Sequence, residues 1–179
     1  MAVSDKMTPR TIAEQSKLKG LDFVATADCL HPRWVEMLKN ELTETDRGVL
    51  AHKESDIKFV LSTEVEDNRR VHHLIFLPDY NAVDKLYNEF AKYSKDIDAD
   101  GRAHIRLDGE KIAEKVIDLG GLIGPSHAFV PWTSIFKEYD SIKECYKNFS
   151  DDICFLELGL SADSEMADNI SKEIERLQA

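Results

Sequence analysis

The sequence predicts an α/β domain whose sheet is largely parallel. Short apolar runs alternate with amphipathic stretches of helical period along most of the chain. The runs are nearly continuous in apolar character, which is typical of strands buried on both faces of a parallel sheet. A length of 179 residues fits a single domain, and no linker-like segment interrupts it.

The elements follow one another in a regular order. Apolar runs predict strands at 21–26, 57–63, 71–77, 121–124 and 153–158. Amphipathic periodicity predicts helices at 8–20, 32–42, 81–93, 108–119, 141–149 and 164–177. Thr8 and Pro9 suit the start of the first helix, and Gly20 suits its end. With the second strand extending to Glu64, only residues 65–70 separate it from the third strand. That connection is too short for a crossover helix, so we expect a hairpin or a tight turn there.

Composition and charge exclude several classes of protein. With 23 basic and 34 acidic residues, the net charge of −11 argues against coating nucleic acid by charge alone. The negative charge does not exclude an enzyme that binds phosphate through bound metal ions, because the cations supply the positive charge. No apolar run approaches the roughly 20 residues of a membrane span, and the start lacks a signal-peptide core. Three widely spaced cysteines without a CxxC pair predict neither a disulfide framework nor a zinc knuckle, so a cytoplasmic location is expected.

Potential metal ligands stand at or near the ends of the predicted strands. In parallel α/β folds, chemistry collects at the carboxyl ends of the strands. The candidate ligands are Asp28, His31, Glu64, His72, His127 and Glu157. Imidazole and carboxylate groups hold zinc, manganese or iron, and such a site needs several of them from separate strands. Their repeated placement indicates a metal site, although no single spacing is a metal signature.

Each of these residues also has a plainer interpretation. A lone histidine on a strand is more often a core or surface residue, and Asp28 suits a turn before Pro32. Glu157 suits an outward-facing position between two leucines. The pair Arg69-Arg70 either clamps a phosphate or occupies a solvated turn, and Trp132 either stacks on a base or packs in the core.

Several longer blocks resemble the polymerase-and-histidinol-phosphatase (PHP) superfamily, and within it endonuclease Q and its relatives, some of them labelled helicase-related. They are KGLD at 19–22 with TAD at 26–28, TEVED at 63–67, RRVHHLIF at 69–76, IGPSHAFVPWT at 123–133 and LELGLSAD at 156–163. This resemblance runs over nearly the whole chain. It implies a distorted barrel of seven βα units with a multi-metal site that hydrolyses phosphoesters.

The resemblance also implies roles for particular residues. Glu64, His72 and His127 fall on positions that resemble the family's metal ligands, while Asp28 and His31 fall on a block that often supplies another. Catalytic roles are expected for Glu64, Asp28 and Arg70, with divalent zinc, manganese or magnesium as cofactor. The implied partner is DNA, cut on the 5′ side of a deaminated or missing base.

The sequence departs from the family at both ends of the expected barrel. No HxH motif and no DxH motif occurs in the sequence. We therefore expect residues 1–179 to form one PHP-like domain lacking the family's first and last strands, an incomplete barrel with fewer metals. Weak or absent activity is then expected. Two alternatives remain open. The first is a truncated non-catalytic fragment, or a domain whose exposed barrel edges pair with another copy, and the second is a small-molecule phosphatase of the same superfamily.

Overall fold

The computed structural model describes residues 7–159 as six α-helices, one 3-10 helix and seven strands. The helices are α1 (Pro9–Leu18), α2 (Pro32–Glu41), α3 (Tyr80–Phe90), α4 (Gly109–Asp118), α5 (Ile135–Glu138) and α6 (Ile142–Tyr146), with the 3-10 helix at Lys147–Asp152. The strands are β1 (Phe23–Ala25), β2 (Leu42–Asp46), β3 (Val49–His52), β4 (Lys58–Glu66), β5 (His72–Leu77), β6 (Ala103–His104) and β7 (Leu122–Pro125).

Local sequence signals explain where the main helices begin. The side chain of Thr8 accepts a hydrogen bond from the backbone N–H of Thr11 at the start of α1. Asp79 and Asp108 cap α3 and α4 in the same way. These helices lie close to the predicted ranges. The predicted strand at 153–158 is wrong, because residues 153–159 form no regular element, and the predicted helix at 164–177 lies outside the described residues.

The expectation of a largely parallel, barrel-type sheet is also wrong. The strands form one mixed sheet in the order β2-β3-β4-β5-β7, and among the described strands it does not close. Four strand pairs are antiparallel, whereas only the pairings of β1 and β6 with β4 are parallel. The physical reason is connection length, because β2 joins β3, and β4 joins β5, through turns too short for a crossover.

A hairpin of β2 and β3, which the sequence analysis missed, forms one antiparallel pair and joins the sheet through a second, between β3 and β4. Strand β2 turns into β3 at Arg47 and Gly48, and Gly48 adopts a φ of +77°, a conformation that glycine tolerates without strain. Most of β2 is exposed and polar, so it lacks the apolar run that predicts a buried strand. The predicted hairpin of β4 and β5 is confirmed.

The sheet separates two environments. Paired residues in register share a face, so Glu64, Glu66, His72 and Leu74 project from one side of β4 and β5, and Thr63, Val65, His73 and Ile75 project from the other. Helices α3 and α4 contact β5 on the second side, and α4 also contacts α6. That side is the apolar core, with Ile75, Val83 and Ile112 fully buried. No helix among the described residues is both long and apolar enough to cross a membrane.

Candidate metal centre

Glu64, His72 and His127 bring three potential ligand atoms together on the other side of the sheet. Nδ1 of His72 lies 3.0 Å from Nε2 of His127 and 3.3 Å from Oε1 of Glu64. All three ligand atoms lie within 4.8 Å of one another. Donor atoms around one tetrahedral zinc ion are about 3.4 Å apart, so the cluster has nearly the dimensions of a metal site.

Strand register and one strained turn bring these side chains together. Residue Glu66 pairs with His72 and Glu64 pairs with Leu74, so all four project to the same face. Strand β7 pairs with β5 on its other edge, and the backbone N–H of Ser126 bonds to the carbonyl of His72 at 3.0 Å. The following residue, His127, has a φ of +32°, unusual for a non-glycine residue. Such strain, held by the surrounding structure, is common at functional sites.

Glu66 fixes the orientation of the His72 ring. Its Oε2 lies 2.9 Å from Nε2 of His72, and both side chains are buried. With Nε2 turned to this carboxylate, Nδ1 is the ring nitrogen that faces Glu64 and His127, and it can present a lone pair to a metal ion that displaces any proton there. Lone pairs converging from two imidazoles and a carboxylate suit a cation, and a carboxylate behind the ligating imidazole is the usual support of such a ligand. The residues therefore fit a divalent metal.

Glu64 is held as an anion. Burial by itself raises the pKa of Glu64, but the hydrogen bond and charge of His72, together with Arg102, outweigh burial and hold this pKa at about 2. The Arg102 guanidinium donates from Nη1 to Oε1 of Glu64 at 3.1 Å. A carboxylate ionised at neutral pH is ready to serve as a ligand.

A wider charge network surrounds Glu66. Its Oε1 lies 3.3 Å from Nε2 of His104 and 3.5 Å from Nε of Arg70. The other ring nitrogen of His104 bonds to Asp96 at 2.5 Å. Burial raises the pKa of Asp96, but hydrogen bonds from His104 and Ser94 outweigh it, so the net shift is downward. Glu66 thus connects His72 to two cationic or ionisable groups.

The remaining predicted ligands lie outside the three-residue cluster. Asp28 follows β1 with a φ of +44°, and its carboxylate lies against Gly101, next to Arg102. Burial raises the pKa of Asp28, and the nearby charge of Glu64 adds to the increase. His31 is the N-cap residue of α2. Oε2 of Glu157 accepts a hydrogen bond from the backbone N–H of His127 at 2.9 Å, so its carboxylate supports that turn.

Sequence reasoning missed three residues of this site, namely Glu66, Arg102 and His104. The spacing of Glu64 and Glu66 was an available signal, because residues two apart on a strand share a face. No comparable signal marked Arg102 or His104, since both come from a polar loop and a two-residue strand. Their contribution depends on the parallel pairing of β6 with the end of β4.

A second polar cluster lies on the opposite face of the sheet. Asp67, His73 and Cys145 are buried there with their ligand atoms within 4.8 Å of one another. Nε2 of His73 lies 3.3 Å from Oδ2 of Asp67, and Nδ1 lies 2.7 Å from the Tyr146 hydroxyl. Oδ1 of Asp67 accepts backbone hydrogen bonds at the hairpin turn, from Arg69 and Val71. Both imidazole nitrogens of His73 are therefore satisfied within the protein, which indicates a structural network.

The chain is similar in sequence and fold to several known proteins. No family model matches the sequence. Among solved structures, the lesion-specific endonuclease Q of Pyrococcus furiosus is 47% identical, with a TM-score of 0.86 over 96% of this chain and 42% of that chain. A structure of endonuclease Q with a 27-mer duplex carrying an abasic lesion at its active site gives a TM-score of 0.85 at the same identity and coverage.

Other similar proteins are more distant or uncharacterised. An uncharacterised protein of Methanocaldococcus jannaschii is 40% identical over 75% of this chain and 16% of its own length. The uncharacterised YqxK of Bacillus subtilis is 27% identical over 91% of this chain and 44% of its own length. A protein from Bifidobacterium adolescentis, described as a candidate metal-dependent phosphoesterase, shares the fold at 14% identity and a TM-score of 0.61.

The chain spans less than half the length of these curated relatives and of the endonuclease Q chains. Within that span, sequence identity and backbone superposition agree with the resemblance drawn from the TEVED, RRVHHLIF and IGPSHAFVPWT blocks. The resemblance to endonuclease Q is thereby confirmed: this chain is similar to endonuclease Q in both sequence and fold over nearly its whole length.

Proposed function

We propose that this chain is a metal-dependent phosphodiesterase that acts on DNA and cuts on the 5′ side of deaminated or abasic positions. One observation carries the proposal: Glu64, His72 and His127 converge in a chain that is 47% identical to a lesion-specific endonuclease. The lesion preference and the side of cutting rest on the family resemblance. The cluster geometry supports metal binding.

The ligand roles follow from the contacts of each side chain. Glu64, His72 and His127 hold the divalent ion, and Glu66 holds the ring of His72 in the orientation that presents Nδ1. When bound, such an ion polarises the phosphodiester and lowers the pKa of water. Glu157 supports the turn that carries His127 by accepting a hydrogen bond from its backbone.

Positive charge for the phosphate comes from arginines beside the cluster. Arg102 contacts Glu64, and the largely exposed Arg70 contacts Glu66. Either guanidinium offers several donors to phosphate oxygens in a fixed planar geometry. We assign Asp28 to orienting a group beside Glu64, because its half-buried carboxylate lies against Gly101, next to the Arg102 that donates to Glu64. His31 retains the ligand role that the resemblance implies.

The described cluster provides three ligands, which suits a single ion. We therefore expect about one tightly bound zinc or manganese ion per chain and slow hydrolysis. Metal content after reconstitution and dialysis, measured by mass spectrometry, tests the first part. Hydrolysis of an oligonucleotide with one abasic site, compared with bis-p-nitrophenyl phosphate and with histidinol phosphate, tests the second.

Variants of the cluster distinguish metal binding at this site from nonspecific metal binding elsewhere on the chain. Glu64→Gln and His127→Ala should each weaken metal binding by at least about 10-fold, because each removes one of three ligands. His52→Gln changes an imidazole on β3, outside the cluster, and should retain the metal. Equal metal content in all three variants would contradict the assignment. Turnover of histidinol phosphate alone would favour the small-molecule phosphatase.

A further inference from the structure

Trp132 is an exposed aromatic residue in a loop whose backbone is hydrogen-bonded to that of the candidate ligand His72. Its exposure is 69%, the largest of any tryptophan in the described chain, and it precedes Thr133, whose carbonyl accepts a hydrogen bond from the backbone N–H of His72 at 3.0 Å. The segment is anchored on both sides of Trp132. His127 and Thr133 both have positive φ values, and the buried Ser134 donates to the carbonyl of Val130 at 2.5 Å.

The anchoring makes the exposure of Trp132 informative. Tryptophan is a large apolar residue, so burying it contributes substantially to stability. Here the neighbouring Ala128 and Ile135 are buried, whereas Trp132, in the loop held by the hydrogen bonds of Thr133 and Ser134, is exposed to solvent. The chain's other tryptophan contrasts with it, because Nε1 of Trp34 donates to the carbonyl of Ala27 at 2.9 Å and anchors the segment after β1.

Two arginines lie on the segment next to Trp132. The hydrogen bond from His72 to Thr133 joins the loop to the strand that follows Arg69 and Arg70. The side chain of Arg70 is 77% exposed, and the Arg69 guanidinium lies over the Tyr139 ring, 5.0 Å from its centroid. An exposed aromatic and exposed guanidinium groups on two hydrogen-bonded segments are a combination that suits single-stranded nucleic acid, because bases stack on the ring and phosphates bind the charged groups.

We propose that Trp132 is a stacking platform for an unpaired nucleobase of the substrate strand, with Arg70 contacting the adjoining phosphate. This inference rests on the proposed function, since it concerns a DNA strand bound at the same site. It adds a binding residue that belongs to neither the ligand set nor its supports. It also predicts that the substrate is an extended strand with an unstacked base and that a small phosphate ester lacks this contact.

Tryptophan fluorescence during titration with a single-stranded oligonucleotide, in the presence of EDTA, tests the stacking directly. The chain contains two tryptophans, and we expect the oligonucleotide to quench the fluorescence of the wild-type chain. In Trp132→Phe only Trp34 remains, so the quenching should disappear while most of the affinity is retained by the smaller ring. Trp132→Ala should bind the oligonucleotide about 5- to 150-fold more weakly, the range for loss of one base–aromatic stack.

Phe23→Ala is the matched control. Phe23 is also an exposed aromatic residue, with 59% of its surface accessible. It pairs with Lys58 of β4, which lies six residues before Glu64, and six residues of a strand span about 20 Å. Its loss should leave oligonucleotide affinity unchanged. Equal quenching in the wild type and Trp132→Phe, or wild-type affinity in Trp132→Ala, would overturn the proposal.

The two proposals fail in different ways. Oligonucleotide binding with Trp132 quenching but without hydrolysis of any phosphodiester would reject the proposed function and keep the stacking site. Hydrolysis of bis-p-nitrophenyl phosphate without quenching of Trp132 by the oligonucleotide would reject the stacking site and keep the proposed function.

Discussion

Replacing Tyr146 with phenylalanine tests the buried network on the face of the sheet opposite the candidate metal centre. The Tyr146 hydroxyl lies 2.7 Å from Nδ1 of His73, and both residues are fully buried. Their rings meet edge to face at 5.4 Å, so phenylalanine keeps the ring contact and creates almost no cavity. The substitution removes one hydrogen bond and leaves the buried Nδ1 of His73 without a partner.

The expected cost follows from that change alone. Leaving one buried polar group unsatisfied costs about 1–3 kcal/mol, and for a chain of this length each kcal/mol lowers the melting temperature by about 2–4 °C. Urea unfolding followed by circular dichroism measures the free energy, and a thermal scan measures the temperature shift. We expect the slope of the unfolding free energy against urea concentration to be the same in the variant and the wild type, because both expose the same surface on unfolding.

Tyr87→Phe is the matched control for this variant. The Tyr87 hydroxyl also makes a hydrogen bond, to Oδ1 of Asp98 at 2.5 Å, but this bond is exposed to water. Water replaces the lost partner there, so the cost should stay below about 0.5 kcal/mol. If Tyr146→Phe costs no more than Tyr87→Phe, the inference that the His73 network is a buried structural element is refuted.

Two further predictions concern other parts of the structure. Gly109→Ala should destabilise the chain by about 1–3 kcal/mol in urea unfolding, because the added Cβ would lie 2.5 Å from Sγ of the buried Cys145 and 3.2 Å from Cε1 of His73. An unchanged urea midpoint would contradict this, because it would mean that Cys145 and His73 move aside for the added Cβ at no cost in stability. Asp96→Asn should lower stability most above pH 4 and progressively less below it. The pKa of Asp96 is lower in the folded chain than its ordinary value, so its contribution is present above that value and is lost as acid protonates it. A constant difference between the variant and the wild type from pH 7 to pH 3 would contradict this.

Local sequence signals predicted the elements with strong caps or long apolar runs. The Thr8-Pro9 start of α1 and the short connection between β4 and β5 are confirmed, since each depends only on neighbouring residues. The β2 hairpin was missed because its outer strand is polar. The strand expected at 153–158 did not form, although Glu157 makes two backbone hydrogen bonds there, to Pro125 and from Ala128.

Three site residues, Glu64, His72 and His127, were chosen from the sequence, and the structure places them together. Their supporting residues could not be chosen in that way. His72, which the sequence analysis names as a candidate ligand, and the adjacent His73, which it does not, project to opposite faces of β5 and belong to different clusters. Strand alternation alone predicts that separation, but which face carries the site depends on where the helices pack.

By itself the sequence determined which residue types were available for metal chemistry. Through the TEVED, RRVHHLIF and IGPSHAFVPWT blocks it also determined the resemblance to endonuclease Q. Only the tertiary structure decided that the sheet is mixed, that Glu66 rather than a more distant carboxylate supports His72, and that Trp132 faces solvent. The reason is that ligand identity is a local property of the chain. Strand direction, ring orientation and exposure depend on contacts between segments that are distant in sequence.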